Sequence, residues 1–370
     1  MIKKFDEVFV DKTRLGKKIP KEEYKKKGKY IIIDQGKDKI AGFTDNEDGI
    51  FTDVPTIIFG DHTRIIKYID KPFFLGADGV KVLKSKINNA NYKYLYYALK
   101  AAYIPNTGYN RHFKWLKKVS INYPSFEKQK RIVKLLDNLS EVKNKKNEEL
   151  KLCDTLIKAR FVEMFGDPGL VHRENKVCNL ENVAEVRSSH RIFTREFTKS
   201  GVPFYRGTEI SLLANGKEPI HSYYISKARY DEITKNDSKP KIGDLLMPSI
   251  CDKGQIWLVN TSKPFYYKDG RVLCISPNRE KFNTIFFHQY MKMKSQIEYL
   301  KIGSGSTFAE FKIFQLKKLK INIPPLKLQN EFASFVQQVD KSKVVNVSIM
   351  KYIISIRFYL YFKENKEGAR

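Results

Sequence analysis

The chain has 370 residues, 42% of them apolar and 13% aromatic, which is core material for two or three domains and excludes a disordered chain. Its 69 Lys and Arg outnumber 41 Asp and Glu, giving a net charge of +28; the lysines are spread along the sequence, so a basic surface on folded parts, suited to a polyanion, is expected. No apolar run reaches the roughly 18 residues of a membrane span, and the four cysteines contain no C-x-x-C pair, which argues against a zinc site or a disulfide framework.

The opening residues, Met1-Ile-Lys-Lys-Phe-Asp-Glu7, lack a signal-like apolar region, so a soluble cytoplasmic protein is expected. An acid-punctuated apolar segment, Phe5 to Val10, leads into strand patterns at Tyr30–Ile33, Val54–Phe59, Ile65–Ile69 and Gly79–Leu83. The acidic run Thr44 to Gly49 reads as a turn, not as a metal site. Asn91 caps a predicted helix Tyr92–Ala102, a loop runs from Pro105 to Arg111, and a strand Val119–Tyr123 leads into a long helix from about 126 to about 165. Phe165-Gly-Asp-Pro-Gly169 stops that helix and marks a domain boundary.

Beyond the boundary the order repeats. Leu180 to Val186 has the character of Phe5 to Val10, and strands are predicted at Val202–Tyr205, Asp244–Met247, Gln255–Val259 and Arg271–Ile275. A helix Thr284–Leu300 follows Asn283, then a loop Gly303–Thr307, a strand Leu319–Ile323 and a second long helix. Gly60-Asp61 is matched with Gly243-Asp244, and Lys71-Pro-Phe-Phe74 with Lys263-Pro-Phe-Tyr266.

The phrase Ile121-Asn-Tyr-Pro-Ser-Phe-Glu-Lys-Gln129 returns 200 residues on as Ile321-Asn-Ile-Pro-Pro-Leu-Lys-Leu-Gln329, so both long helices start alike. Ile132, Leu135, Leu136, Leu139 and Leu150 share register with Phe332, Phe335, Val336, Val339 and Met350. Two matching stripes are buried at lowest cost against each other, as a two-helix coiled coil. Val344 to Phe362 is more apolar and β-branched than its counterpart; either it buries more surface against a partner or its end is not helical. The fold class expected is α+β, two β-rich domains separated by two long helices. Residues 1–123 and 168–323 form the domains, 124–167 and 324–370 the helices.

Catalytic signatures are missing. No phosphate-binding glycine-lysine loop occurs, and Gly303-x-Gly305 lacks the rest of a dinucleotide fingerprint. Asn322-Ile-Pro-Pro-Leu326 fails the methyltransferase Asn/Asp-Pro-Pro-aromatic pattern through its inserted Ile and aliphatic end, and neither H-x-x-x-H nor G-x-S-x-G is found. Three readings stay open: a non-catalytic DNA-specificity protein, a nuclease or methyltransferase with divergent motifs, and a structural or RNA-binding protein that dimerises through its helices.

The repeated Pro-x-x-x-x-Gln helix openings, Leu156-Ile-Lys-Ala-Arg-Phe-Val-Glu-Met-Phe-Gly-Asp167 between the halves, and Asp53-Val-Pro-Thr-Ile-Ile-Phe-Gly-Asp-His-Thr-Arg64 resemble the specificity subunit of type I restriction-modification systems. The resemblance implies two target-recognition domains, each reading one half of a split double-stranded DNA site, on helices that pack as an antiparallel coiled coil. It implies docking of two methyltransferase subunits, and restriction subunits where present. S-adenosylmethionine, ATP and Mg are implied to serve those partners, leaving this chain without a cofactor or metal.

Base and phosphate contacts are expected from polar, basic and aromatic residues on turns. In the first domain these are His62, Thr63, Arg64, Thr107, Tyr109, Asn110, Arg111 and His112. In the second they are Arg206, Thr208, Ser249, Lys253, Ser304, Ser306 and Thr307.

Overall fold

Strand-forming runs of the first half pair into sheets. In the computed structural model, which describes residues 1–76, 79–172, 175–219, 223–235, 239–302 and 309–366, with side chains as far as residue 349, the chain divides into two units, 1–147 with 347–370, and 148–346.

The first unit contains β1 (Ile2–Lys4), α1 (Phe5–Val8), β2 (Phe9–Asp11), β3 (Tyr30–Ile33), β4 (Gly42–Thr44), β5 (Thr56–Gly60), β6 (Ile66–Ile69), β7 (Phe73–Leu75) and β8 (Val80–Ser85). These are followed by α2 (Tyr92–Ala101), α3 (Phe113–Leu116), β9 (Ser120–Asn122) and the start of α4 (Phe126–Phe165). An antiparallel sheet runs in the order β2-β8-β5-β6, a second in the order β4-β3-β7, and β1 pairs with β9. The central strand β5 is buried at every residue, which is why Thr-Ile-Ile-Phe-Gly reads as an unbroken apolar run. Asn91 caps α2 as expected, its Oδ1 accepting from Tyr94 N at 3.1 Å. Ile57, Phe59, Tyr94, Leu95 and Leu99 form a core that takes in Ile132 and Leu136 of α4.

The second unit repeats the plan: β10 (Lys176–Asn179), β11 (Ala184–Arg187), β12 (Phe197–Thr198), β13 (Val202–Tyr205), α5 (Gly207–Ala214), β14 (Tyr224–Ile225), α6 (Lys227–Ile233), β15 (Leu245–Pro248) and β16 (Trp257–Leu258). Then come β17 (Tyr266–Tyr267), β18 (Val272–Pro277), α7 (Thr284–Ile302), α8 (Ile313–Lys317), β19 (Lys320–Ile323) and α9 (Leu326–Lys366). The order β11-β18-β15-β16 reproduces β2-β8-β5-β6, and β10 pairs with β19 as β1 pairs with β9. Even the closing bonds match: Phe5 N donates to Val119 O at 3.1 Å, and Leu180 N to Leu319 O at 2.8 Å.

One landmark from the sequence is equivalent and one is not. Phe73 to Leu75, which starts on the Phe of its Lys-Pro-Phe phrase, and Tyr266-Tyr267, which follows its own, form the same parallel pairing, with β3 and β13 respectively. The Gly-Asp match fails. Gly60-Asp61 lies at the end of β5, whereas Gly243-Asp244 precedes β15, the strand that takes β5's place. Such a dipeptide marks a turn at either end of a strand, so the match was chemical, not positional. By register the counterpart of Asp61 is Ser249: Asp61 N donates to Gly79 O at 2.7 Å, and Ser249 N to Arg271 O at 2.9 Å.

Both long helices are continuous, α9 through Lys366, so the apolar Val344 to Phe362 stretch is helical. The repeated glutamine explains the common start. Gln129 and Gln329 are buried, and each Nε2 donates back to the preceding proline carbonyl, Pro124 O at 2.9 Å and Pro324 O at 2.8 Å. Gln329 also bonds Lys281 O and Asn283 N, both at 3.0 Å, fastening α9 to the start of α7. The first turns of both stripes are buried in their own domain's core, Ile132 and Leu136 in one and Phe332 and Val336 in the other. The stripe therefore packs on the domain cores as well as, at Phe332 and Val336, on the cluster that holds Ile157, Phe161 and Phe165 of α4. Periodicity shows that a face is covered, not what covers it.

Within the second unit the helices do pair. Phe332 lies against Phe161 at 5.5 Å and Phe165 at 5.6 Å between ring centroids, and Lys343 Nζ reaches Asp154 Oδ1 at 2.8 Å. One helix therefore descends as the other rises, the antiparallel sense. Phe335 and Val339 pack on the same cluster, Leu139 packs on the first unit's core, Leu150 is half-buried, and Leu135 is 39% exposed. The side chain of Met350 lies outside those described.

Candidate nucleic-acid interface

Loops converge at one end of the β5 sheet in the first unit. Gln35, just past β3, accepts from His62 N through Oε1 at 3.1 Å, while its carbonyl accepts from the Thr63 hydroxyl at 2.6 Å. Arg64 sits in the left-handed region with φ 60°, and its Nη1 donates to Ile104 O at 3.1 Å. The turn 61–64 is thereby tied to the segment before the 105–111 loop.

That loop is clamped from below. Buried Asp61 accepts from His112 N at 2.8 Å through its carbonyl and from Phe113 N at 2.7 Å through Oδ1, and the His112 ring Nδ1 lies 3.0 Å from the same carbonyl. His112 is fully buried, so it anchors the loop from inside and does not lie on the surface. Above it Tyr109 is 90% exposed and stacks on His62 at 5.1 Å with rings 14° apart. Gly108 takes φ 77°, and the Asn110 amide closes the turn onto Thr107 O. Thr63, Thr107, Asn110 and Arg111 are exposed. The result is a polar and aromatic rim on a rigid base, chemistry suited to base edges and phosphates.

In the second unit Arg206 caps α5, its guanidinium pairing with Glu209 at 2.9 and 3.1 Å and lying 4.7 Å from the Tyr223 ring centre. Those bonds hold the Glu209 carboxyl below its ordinary range despite burial, which pulls the other way. Thr208 is exposed in the first turn of α5. Ser249 is buried and acts through its backbone, its carbonyl accepting from Phe311 N at 2.8 Å. This repeats the Asp61 clamp. Lys253 is exposed on a separate loop, near the end of α5. Ser304, Ser306 and Thr307 lie outside the described residues.

The structure adds groups that sequence reading passed over. Gln35 has no motif; its role exists only once the loops meet. Phe193, 47% exposed, has Arg191 at 5.1 Å and Arg195 at 5.4 Å from its ring centre, a basic and aromatic alternation that was readable in Arg191-Ile-Phe-Thr-Arg195. Among the described residues, no cluster of His, Cys, Asp and Glu could hold a metal ion, and no helix is long and apolar enough to cross a membrane.

Comparison with known proteins agrees with this architecture. The family model for the type I restriction modification DNA specificity domain matches residues 1–152 and 172–348. A Haemophilus influenzae protein named as a type I restriction enzyme specificity subunit is 28% identical over 297 residues, 76% of this chain and 72% of that protein. A Methanocaldococcus jannaschii protein with a name of the same kind is 24% identical over 307 residues, covering 75% and 68%. In fold, the chain is similar to the type I restriction-modification S subunit from M. genitalium, with TM-score 0.55 and 17% identity over 97% of this chain and 94% of that one. It is similar also to a chain from a study of assembly and conformational transition in the type I system, with TM-score 0.53 and 15% identity over 99% and 97%. The chain belongs to the specificity-subunit family of type I restriction-modification systems, whose members recognise DNA and are themselves non-catalytic.

Proposed function

We propose that this chain reads a bipartite DNA site, residues 1–123 and 168–323 each recognising one half, while the helices at 124–167 and 324–370 set the spacing and dock two methyltransferase subunits. Restriction subunits join where the system has them, and S-adenosylmethionine, ATP and Mg belong to those partners. The complex works in the cytoplasm. The observation that supports this best is the duplicated unit: the same strand order, the same closing bond and the same glutamine latch recur on two unlike sets of loops. A pseudo-symmetric scaffold with different readers suits an asymmetric split site.

Arg111 is exposed on the clamped loop, and Arg111→Ala in the complex with its methyltransferase should lose about 1–3 kcal/mol of discrimination at the first half-site. That is roughly 5- to 150-fold, with the second half-site and assembly unchanged. Competition binding against a randomised duplex pool checks it. Equal affinity of the unaltered complex for every duplex, or tighter binding of structured RNA, would sink the proposal.

A further inference from the structure

Each unit has a basic cleft beside the loops described above, with Arg64 lining the first and Lys253 the second. α2 and α7 begin after Asn91 and Asn283, and the ninth residue beyond each asparagine is a lysine, Lys100 and Lys292. Each lysine lines a cleft that a stretch of α4 also lines. The first cleft, about 960 Å³, takes Lys37, Lys39, Arg64, Lys67, Lys93 and Lys100 on one side and Asp137 and Asn144 of α4 on the other. The second, about 340 Å³, brings Lys253 and Lys292 to Asp154 and Lys158 of α4, with Gln289 and Gln296 beside them.

Of the carboxylates lining these clefts, Asp137 and Asp154 are already engaged, and Asp70 stands exposed in the first. Asp137 accepts from Lys93 Nζ and from the Tyr97 hydroxyl, both at 2.6 Å, and burial followed by that carboxylate pushes the Tyr97 phenol up to about 12. Asp154 is taken by Lys343 at 2.8 Å. Excess positive charge therefore remains inside a concave surface, where low-dielectric walls strengthen attraction for an anion. Lys292 is held below the ordinary lysine range, chiefly by burial, a cost to the empty cleft that a bound anion would offset. The second cleft is built tightly: Gly254 adopts φ 65°, and a Cβ there would stand 2.6 Å from Lys292 O. Lys253 is thus held against α7. A protein of net charge +28 has lysines everywhere, but Lys100 and Lys292 share a cap-relative position on their helices and each lines a cleft with further lysines.

We infer that each cleft holds a phosphate of the DNA backbone outside the bases read by the loops, making Lys100 and Lys292 sequence-independent contacts. The inference rests on the DNA-reading proposal for the source of the phosphate. The chemistry alone, several ammonium groups lining a concave surface, fits a phosphoryl group.

The test uses the full chain with its methyltransferase, comparing the unaltered protein with Lys100→Gln and Lys292→Gln on a cognate and a scrambled duplex over a salt series. Removing one phosphate contact should lower the steepness of log affinity against log salt by about 0.9. Both duplexes should weaken by the same factor, leaving half-site preference intact, and Lys292→Arg should restore the slope where a loss of folding would not. An unchanged slope, or a loss confined to the cognate duplex, overturns the inference. Calorimetry with inorganic pyrophosphate on the same variants separates the sources: pyrophosphate binding abolished by Lys292→Gln with an unchanged slope assigns the cleft to a free phosphate ligand and overturns the DNA assignment. If the unaltered complex shows no preference between duplexes, the reading proposal falls, while the slope comparison still decides the clefts.

Discussion

Leu136→Asp is expected to unfold the first unit at temperatures where the unaltered protein is native. Leu136 is 3% exposed and packs with Ile132 into the core formed by β5 and α2. Losing such a leucine costs about 2–5 kcal/mol through transfer and cavity terms, and a carboxylate with no buried partner adds about 1–3 kcal/mol even after it takes up a proton. A total of roughly 4 kcal/mol or more is a large share of the stability of an ordinary domain. Hydrogen exchange resolved along the chain should show protection lost over residues 5–136 and kept over the β11-β18-β15-β16 sheet. Uniform loss, or none, would contradict the assignment of the helix's first turns to the domain core. Leu139→Asp, at a half-buried edge of the same cluster, should act in the same direction and more weakly.

Phe161→Ala should have the corresponding effect on the second unit. Its ring lies within 5.1 to 5.7 Å of Phe165, Phe286, Tyr290 and Phe332, joining α4, α7 and α9 in one aromatic cluster. Truncating a buried phenylalanine costs about 3–5 kcal/mol. Because this cluster also fixes the antiparallel contact, assembly with the methyltransferase should weaken together with thermal stability. Phe161→Leu keeps much of the volume and should recover most of both. A variant that melts normally yet fails to assemble would show that Phe161 faces the partner instead of the core.

Much of the fold was legible because its signals are local. Both long helices, the Asn91 and Asn283 caps, and the strands Tyr30–Ile33 and Val202–Tyr205 follow from periodicity, side-chain capping and β-branched runs. The shorter helices were not read: α5 opens on glycine, and α6 holds seven residues, too few for a stripe to emerge.

At the candidate interface, the turn residues His62 to Arg64 and the 105–112 loop, each picked out by its turn chemistry, meet through tertiary contacts. What sequence could not show is which polar groups lie inside. His112 and Ser249 are buried by contacts to Asp61 and to Arg271 and Phe311, all distant along the chain. Gln35 matters for the same reason in reverse, since only tertiary convergence places it under His62.

The duplicated unit on two long helices implies that one chain specifies two half-sites and the distance between them. The decisive measurement is a map of methylated bases across a genome that carries the partner methyltransferase, with and without this chain. The prediction is a motif of two fixed half-sites split by an unspecified spacer of constant length, absent when the chain is absent. Inserting one helical turn into both long helices should change the spacer and leave both half-sites intact. A single contiguous motif, or a methylation pattern indifferent to the presence of the chain, would contradict it.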